Sequence, residues 1–387
     1  MPWKEANVMD LRTEFVTRAL REESSFSALC RDFGISTKTG YKWKQRFLAD
    51  GLPGLADRSR RPNSKPTAVT EDVCCELVRQ KGLHEGWGPK KIHDLYLKAN
   101  HQLPDVSLST VQRVLTKAGL TERRRRRRRS EDCGRIANPL VATAPNEVWT
   151  VDFKGWWYAT TRERVQPLTV RDAYTRYVLL AQAVADARME TVQECFVRLF
   201  SQYGLPLVIR SDNGAPFACT SAPLGLSRLS AWWVTLGISL DRIEKGHPEQ
   251  NGGHERMHRD IALEVEGRVD GDLVAQQAAL DIWREQYNHE RPHEALGMRR
   301  PAQLYTKSER RFDPQPVELE YPTNYLRRRV TRVGCIKLAG RLIRISSAIS
   351  GWHVGLQPLG PGEFNVWFGP LHLGEINVPD EKFTVAS

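Results

Sequence analysis

The chain has 387 residues, with 57 Lys and Arg against 46 Asp and Glu, and 40 % of its residues are hydrophobic. It is long enough for two or three buried cores, because single cores stop growing at roughly 250–300 residues. No apolar run approaches the ~18 residues of a membrane span, and the N-terminal MPWKEANVMD lacks the basic-then-apolar pattern of a secretory signal. A soluble, cytoplasmic protein with no membrane partner is therefore expected.

The placement of the charge says more than its sum. Residues 1–136 hold 28 Lys and Arg against 17 Asp and Glu, and the rest of the chain holds 29 of each. The whole +11 excess thus lies in the first third, which points to a polyanion-binding region attached to a neutral body. The seven cysteines (30, 74, 75, 133, 195, 219 and 335) form no C-x-x-C pair. Free, mostly buried thiols in a reducing compartment are expected.

In chain order, Leu11, Phe15, Val16, Ala19 and Leu20 give a helical stripe, and Phe26, Leu29, Cys30 and Phe33 give a second. Gly34 stops that helix and Ser36 caps a third, which holds Tyr41, Trp43, Phe47 and Leu48. This is a helix-turn-helix pattern over residues 1–52, with Lys38, Lys42, Lys44 and Arg46 as candidate DNA contacts. A Pro-rich linker follows, and residues 68–120 read as a second helical DNA-binding module. Its WGPKKI motif offers Lys90 and Lys91. Residues 121–144 are an Arg-rich linker, where Arg123, Arg124, Arg125, Arg126, Arg127, Arg128 and Arg129 would displace counterions from a duplex.

From Asn146 the pattern turns to strands, in the order β-β-β-α-β, with a helix over Met189–Tyr203 and a turn at Asp172. A mixed α/β sheet is expected over residues 145–310. Asp152 lies inside the first strand, Asp212 ends the strand LPLVIRSDNG, and Glu255 follows the Gly-rich GHPEQNGG. Ligands in open α/β sheets sit at such strand ends, and converging carboxylates require a multivalent cation. Each also has a plain structural reading: a core ion pair, an Asx-turn and a helix-dipole complement. Asn213, His247, Gln250, Asn251 and His254 flank the three. They either contact DNA and tune ligands or serve as loop caps. Asn213, Arg256 and Arg259 are candidate DNA contacts. Trp156, Trp157, Trp232 and Trp233 read as core or interface. Asn288, Arg291, Pro292 and His293 brace the back of the core. Residues 321–385 read as a small C-terminal β-barrel with Arg327, Arg328, Arg329 and Arg332.

The strings WTVDFKG, RDAYTRYVL, IRSDNGAPF, GHPEQNGGHERMHRDI and YNHERPHEALGMRRPAQLY resemble, in order, the integrase core shared by bacterial insertion-sequence transposases of the DDE type and retroviral integrases. The resemblance implies a multidomain chain: N-terminal all-α helix-turn-helix modules, a ribonuclease-H-like integrase core, and the small barrel. It implies a transposase that binds terminal inverted repeats and catalyses metal-dependent cleavage and strand transfer. It carries the triad onto Asp152, Asp212 and Glu255, with two Mg²⁺ ions and Mn²⁺ as a substitute. It also implies double-stranded DNA as partner, a homodimer or higher oligomer, and nucleoid association when bound. The spacing from Asp212 to Glu255 is 43 residues, wide for the group, and ACTSAPLGLSRLSAWW reads as a loop-and-helix insertion. Two other readings stay open. One is a DNA-binding regulator that keeps the fold without catalysis. The other is a zinc hydrolase built on His254-Glu255-Arg256-Met257-His258, which satisfies H-E-x-x-H.

Overall fold

The computed structural model describes residues 7–58, 69–99, 102–121, 140–244 and 247–386, and the chain divides into compact units at 1–69 and 70–387. Arg123–Arg129 lie outside the described residues. Among the described residues no helix is long and apolar enough to cross a membrane.

The first unit is α1 (Val8–Arg21), α2 (Phe26–Asp32) and α3 (Thr37–Asp50). Asn7, Ser25 and Ser36 cap them, each side chain accepting a backbone N–H. Phe15, Val16, Leu29, Cys30 and Trp43 form the core, closed by Leu55. Gly40 lets α3 cross close to α1 and α2: a Cβ there would stand 2.6 Å from Cys30 Sγ and 2.9 Å from Phe15 Cζ.

The second unit begins with α4 (Glu71–Leu83), α5 (Pro89–Ala99) and α6 (Leu108–Lys117), packed on Val73, Leu77, Ile92, Tyr96, Val111 and Leu115. The central sheet holds β1 (Val148–Phe153), β2 (Trp157–Tyr158), β3 (Arg164–Asp172), β4 (Val178–Val184), β5 (Val208–Ser211) and β6 (Ser239–Arg242). Its order is β4-β3-β1-β5-β6, with β2 paired to β3; β1, β5 and β6 are parallel and the rest antiparallel. It is thus the mixed sheet that the sequence pattern leads one to expect. Helices α7 (Met189–Tyr203) and α8 (Arg228–Thr235) cover one face through Phe196, Phe200 and Trp233. Helices α9 (Gly252–Glu264) and α10 (Leu273–His289) cover the other through Met257, Ile261, Leu280 and Trp283. The inserted segment after Asp212 does contain a helix, α8. Asp172 holds its turn by accepting from Thr175 N at 2.7 Å and from Asn146 N at 2.7 Å.

The C-terminal strands β7 (Leu326–Arg329), β8 (Cys335–Leu338), β9 (Arg341–Arg344), β10 (His353–Gly360), β11 (Glu363–Phe368), β12 (Leu371–Asn377) and β13 (Lys382–Val385) do not close into the expected barrel. They form an open five-stranded sheet, β13-β12-β11-β10-β7, and a separate β8-β9 ribbon. Their apolar faces share a core with Ala231 and Val234 of α8, so packing onto a neighbour supplies the burial that closure would have given. The thiols also differ from expectation. Of the six described cysteines, all free, Cys30 and Cys195 are buried, while Cys75 and Cys219 are exposed. Trp156 is 53 % exposed rather than packed away, with Arg164 over its ring.

Candidate active site

Strands β1 and β5 run parallel with Thr150 opposite Arg210, so two residues further on Asp152 and Asp212 leave the same edge of the sheet side by side. That edge is the C-terminal end of both strands, where open α/β sheets present ligand-binding groups. Asp152 is partly buried, and Asn251 donates to its Oδ2 at 2.6 Å. Its carboxyl is pushed up to about 6, first by burial and then by the charge of Asp212, with a further push from Glu255. Both other acids are therefore close enough to act on it electrostatically. Asp212 Oδ1 accepts from Gly214 N at 3.1 Å, an Asx-type turn that fixes the carboxylate. Glu255 sits exposed in the first turn of α9.

Two glycines explain how α9 reaches this edge. A Cβ on Gly253 would lie 2.1 Å from Nη2 of Arg171, a buried guanidinium beneath the helix start. A Cβ on Gly214 would lie 2.9 Å from the Asp212 carboxylate. Both positions admit no side chain without displacing a charged group.

Beneath Glu255, the two histidines of H-E-x-x-H face the sheet. His254 Nε2 lies 2.7 Å from Thr150 Oγ1 and its Nδ1 lies 3.2 Å from Thr169 Oγ1. His258 Nε2 lies 2.8 Å from the same Thr169 hydroxyl, which donates to the Asp152 carbonyl at 2.9 Å. Burial holds both rings neutral, His254 well below its usual range and His258 at about 4. Asp152, His254 and His258 offer ligand atoms within 4.8 Å of one another. Both nitrogens of His254 and Nε2 of His258, however, already have hydroxyl partners.

The remaining sequence candidates divide. Arg256 and Arg259 are exposed on α9. Asn213 turns its amide onto the Ile243 carbonyl at 2.7 Å, bracing the loop. Gln250 accepts from Glu244 N at 3.0 Å. In the first unit Lys38 and Lys42 are exposed, Lys42 with its Nζ 4.7 Å from the Trp43 ring centroid, whereas Lys44 and Arg46 are half-buried, over the rings of Phe26 and Trp43 respectively. Lys90 pairs with Glu294 at 2.8 Å, and Lys91 is half-buried against the core. Asn288 bonds both backbone groups of Val178, at 2.8 and 2.9 Å, so this helix end does brace the core.

One residue went unremarked in the sequence. Arg242, at the end of β6, donates to Ser211 Oγ at 2.6 Å and lies within electrostatic reach of Asp212. Its Nε and Nη2 are buried without a partner. An arginine closing an ordinary strand pattern carries no signal of this. Thr150 and Thr169 are likewise read only as strand residues until α9 is seen above them.

Comparison with known proteins places the chain. Residues 142–248 and 236–301 match integrase core domains, residues 11–63 a helix-turn-helix domain, and residues 39–115 a homeodomain-like domain. The chain is 30 % identical over 261 residues to the uncharacterized 39.2 kDa protein of insertion element IS476 from Xanthomonas euvesicatoria, covering 65 % of this chain and 70 % of that protein. The chain belongs to the bacterial insertion-sequence transposases with a retroviral-integrase-like core. A second relative, the 31.7 kDa protein of insertion element IS407 from Burkholderia multivorans, is 29 % identical over 265 residues, covering 66 % of the transposase chain and 88 % of its own. Among solved structures, the catalytic core of BIV integrase matches at 22 % identity and TM-score 0.32, covering 41 % of the transposase and 93 % of that chain. The HTLV-2 integrase core in complex with magnesium matches at 15 % identity and TM-score 0.32, covering 42 % and 99 %. The helix-turn-helix and integrase-core matches make this a DNA-binding polynucleotidyl transferase of the transposase class.

Proposed function

We propose that this transposase binds the terminal inverted repeats of its element, cleaves them, and joins the freed ends to target DNA, using Asp152, Asp212 and Glu255 to hold two Mg²⁺ ions, with Mn²⁺ able to substitute. The observation that carries this reading is the carboxyl of Asp152, raised by burial and by the two other acids around it. An all-oxygen donor set under mutual repulsion fits a hard divalent cation and is relieved by one. Bound there, the ions would supply Lewis-acid stabilisation of charge on the reacting phosphodiester.

The chain's own residues do the rest. Asn251 orients Asp152 and the Gly214 turn orients Asp212, while Glu255, exposed in the first turn of α9, is near enough to act on the Asp152 carboxyl. Arg242 adds positive charge beside Asp212, and its buried, unpartnered Nε and Nη2 would gain a partner if the side chain turned outward to a phosphate oxygen. In cleavage a water oxygen attacks phosphorus, loses its proton, and the bond to the 3′ oxygen breaks, leaving a free 3′-hydroxyl. In strand transfer that hydroxyl attacks a target phosphodiester in the same sense, so one P–O bond forms as one breaks.

The domain division goes with this reading: end-binding modules at 1–52 and 68–120, an Arg-rich linker at 121–144, the core at 145–310, and a C-terminal domain at 321–385. Two ends must be held together, which calls for at least a dimer. The place of action is the bacterial nucleoid, where the substrate lies. The test is Mg²⁺-dependent cleavage and strand transfer on duplexes carrying the element ends, with Asp152→Asn, Asp212→Asn and Glu255→Gln. Each variant should bind the ends and do neither reaction. Retained activity overturns the assignment, and binding without nicking by the unaltered protein leaves a regulator.

A further inference from the structure

The W-G-P-K-K turn between α4 and α5 leaves Gly88 and Lys90 exposed but turns its tryptophan inward. Trp87 is buried, with His84 stacked on its ring at 4.0 Å and the guanidinium of Arg291 5.8 Å from its centroid. Arg291, itself 3 % exposed, pairs with Asp260 at 2.6 Å and Glu264 at 3.4 Å. Asp260 and Glu264 are on α9, five and nine residues beyond Glu255. Two ion pairs rim the contact, Glu85–Arg268 and Lys90–Glu294, both at 2.8 Å. Gly86 comes so close that a Cβ would stand 2.5 Å from Glu264 Oε1. Withdrawing Trp87 would take the indole from the Arg291 guanidinium and uncover the charges now packed beneath the turn, which favours the turn and α9 staying together.

The same module carries α6. Its exposed residues Ser109, Gln112, Arg113, Thr116 and Lys117 recur at helical spacing and make one polar, basic stripe with no acid in it. That stripe has the width and donor chemistry of a helix read into a major groove.

We propose that the Trp87–Lys91 turn acts as a ruler: by locking the module that bears α6 onto α9, it fixes the number of base pairs between the DNA read by α6 and the phosphodiester cut at Asp152, Asp212 and Glu255. The turn residues are positioning residues that determine where the cut falls. This rests on the proposed cleavage activity, and it adds a reason for the motif that DNA contact by Lys90 and Lys91 does not supply.

The experiment uses the full-length protein, Mg²⁺ and an end-labelled duplex of the element's own terminal repeat, with cut positions mapped to the nucleotide. Glu85→Arg with Lys90→Glu reverses both rim charges from the module side, and Arg268→Glu with Glu294→Lys reverses them from the core side. Each pair should spread a single cut over several neighbouring positions, and the fourfold variant should restore the single cut. Restoration by charge complementation is not expected of residues that merely stabilise one module or touch DNA. Wild-type cut positions in both pairwise variants overturn the ruler alone. An end left uncut by the wild type overturns the function, and the ruler with it.

Discussion

The Nε2 of buried His254 lies 2.7 Å from the hydroxyl of Thr150, which ties helix α9 to the strand that bears Asp152. Counting protons fixes the whole network. Thr169 has one hydroxyl hydrogen and gives it to the Asp152 carbonyl, so His254 Nδ1 and His258 Nε2 must both donate to Thr169. His254 Nε2 then accepts from Thr150, and every buried group except the long Thr150–Arg171 contact is satisfied with both rings neutral. A zinc ion on His254 would have to displace the Thr150 hydroxyl from Nε2 or the Thr169 contact from Nδ1, and one on His258 Nε2 would displace its bond to Thr169. His254→Ala should therefore cost about 1–3 kcal/mol of stability and lower cleavage at least tenfold with end affinity unchanged. Metal analysis should find no stoichiometric zinc. One zinc per chain, lost in His258→Ala, would overturn this account.

The raised carboxyl of Asp152 makes the cation-free fold pH-dependent. Its folded value, about 6, exceeds the ordinary 3.8, so its favourable contribution is complete below pH ~4 and is lost as pH rises through about 6. The loss is roughly 1–3 kcal/mol, since each tenfold change in proton affinity is worth about 1.4 kcal/mol. Thermal melts in chelator should thus show the wild type falling relative to Asp152→Asn between pH 4 and pH 7. Mg²⁺ at pH 7.5 should raise the wild-type melting temperature and leave that of the variant unmoved. Parallel pH curves for the two proteins would remove the electrostatic argument for the site.

Much of this was legible in the residues. The alternation of VWTVDF, the Met189–Tyr203 stripe and the Ser36 cap each encode a local preference strong enough to survive packing, and the elements form where that preference points. The three carboxylates were conspicuous because an acid inside or ending an apolar strand is costly without a partner. What was hidden depends on contacts between distant segments. Lys44, Arg46 and Lys91 look like DNA ligands by charge alone, yet each is half-buried and lies over a ring, of Phe26, Trp43 and Trp87 respectively. The C-terminal strands alternate as a barrel's would, and closure was lost to α8, which no strand pattern reveals.

Gly253 is the residue on which the position of Glu255 turns. A methyl group there meets Arg171 Nη2 at 2.1 Å, and Arg171 is too buried to swing into water. Gly253→Ala should displace the start of α9 and lower end cleavage by at least tenfold while the first unit binds DNA normally. Shortening the obstructing side chain relieves the clash, so Gly253→Ala combined with Arg171→Ala should cost less than the sum of the two single changes. Additive losses in measured cleavage rates would show that the glycine serves some other purpose.

In the first unit, α3 presents Lys38, Tyr41, Lys42 and Gln45 as one exposed stripe, at spacings of three and four residues. Lys44 and Arg46 lie off that stripe and are half-buried, with Lys44 Nζ 5.7 Å from the Phe26 ring centroid and the Arg46 guanidinium 5.2 Å from that of Trp43, whereas Lys42 stays exposed at 4.7 Å from the same indole. Each lysine that neutralises a phosphate should contribute about 0.9 to the slope of log affinity against log salt. Lys38→Ala and Lys42→Ala should each flatten the slope by about that much and weaken binding to all duplexes alike. Lys44→Ala and Arg46→Ala should leave the slope unchanged and instead lower the unfolding temperature, because what they lose is packing on aromatic rings. Titrations of labelled duplex at several salt concentrations, run beside thermal melts of the same four variants, separate the outcomes. A flattened slope for Arg46→Ala with no change in melting would mean that the guanidinium leaves Trp43 to meet DNA.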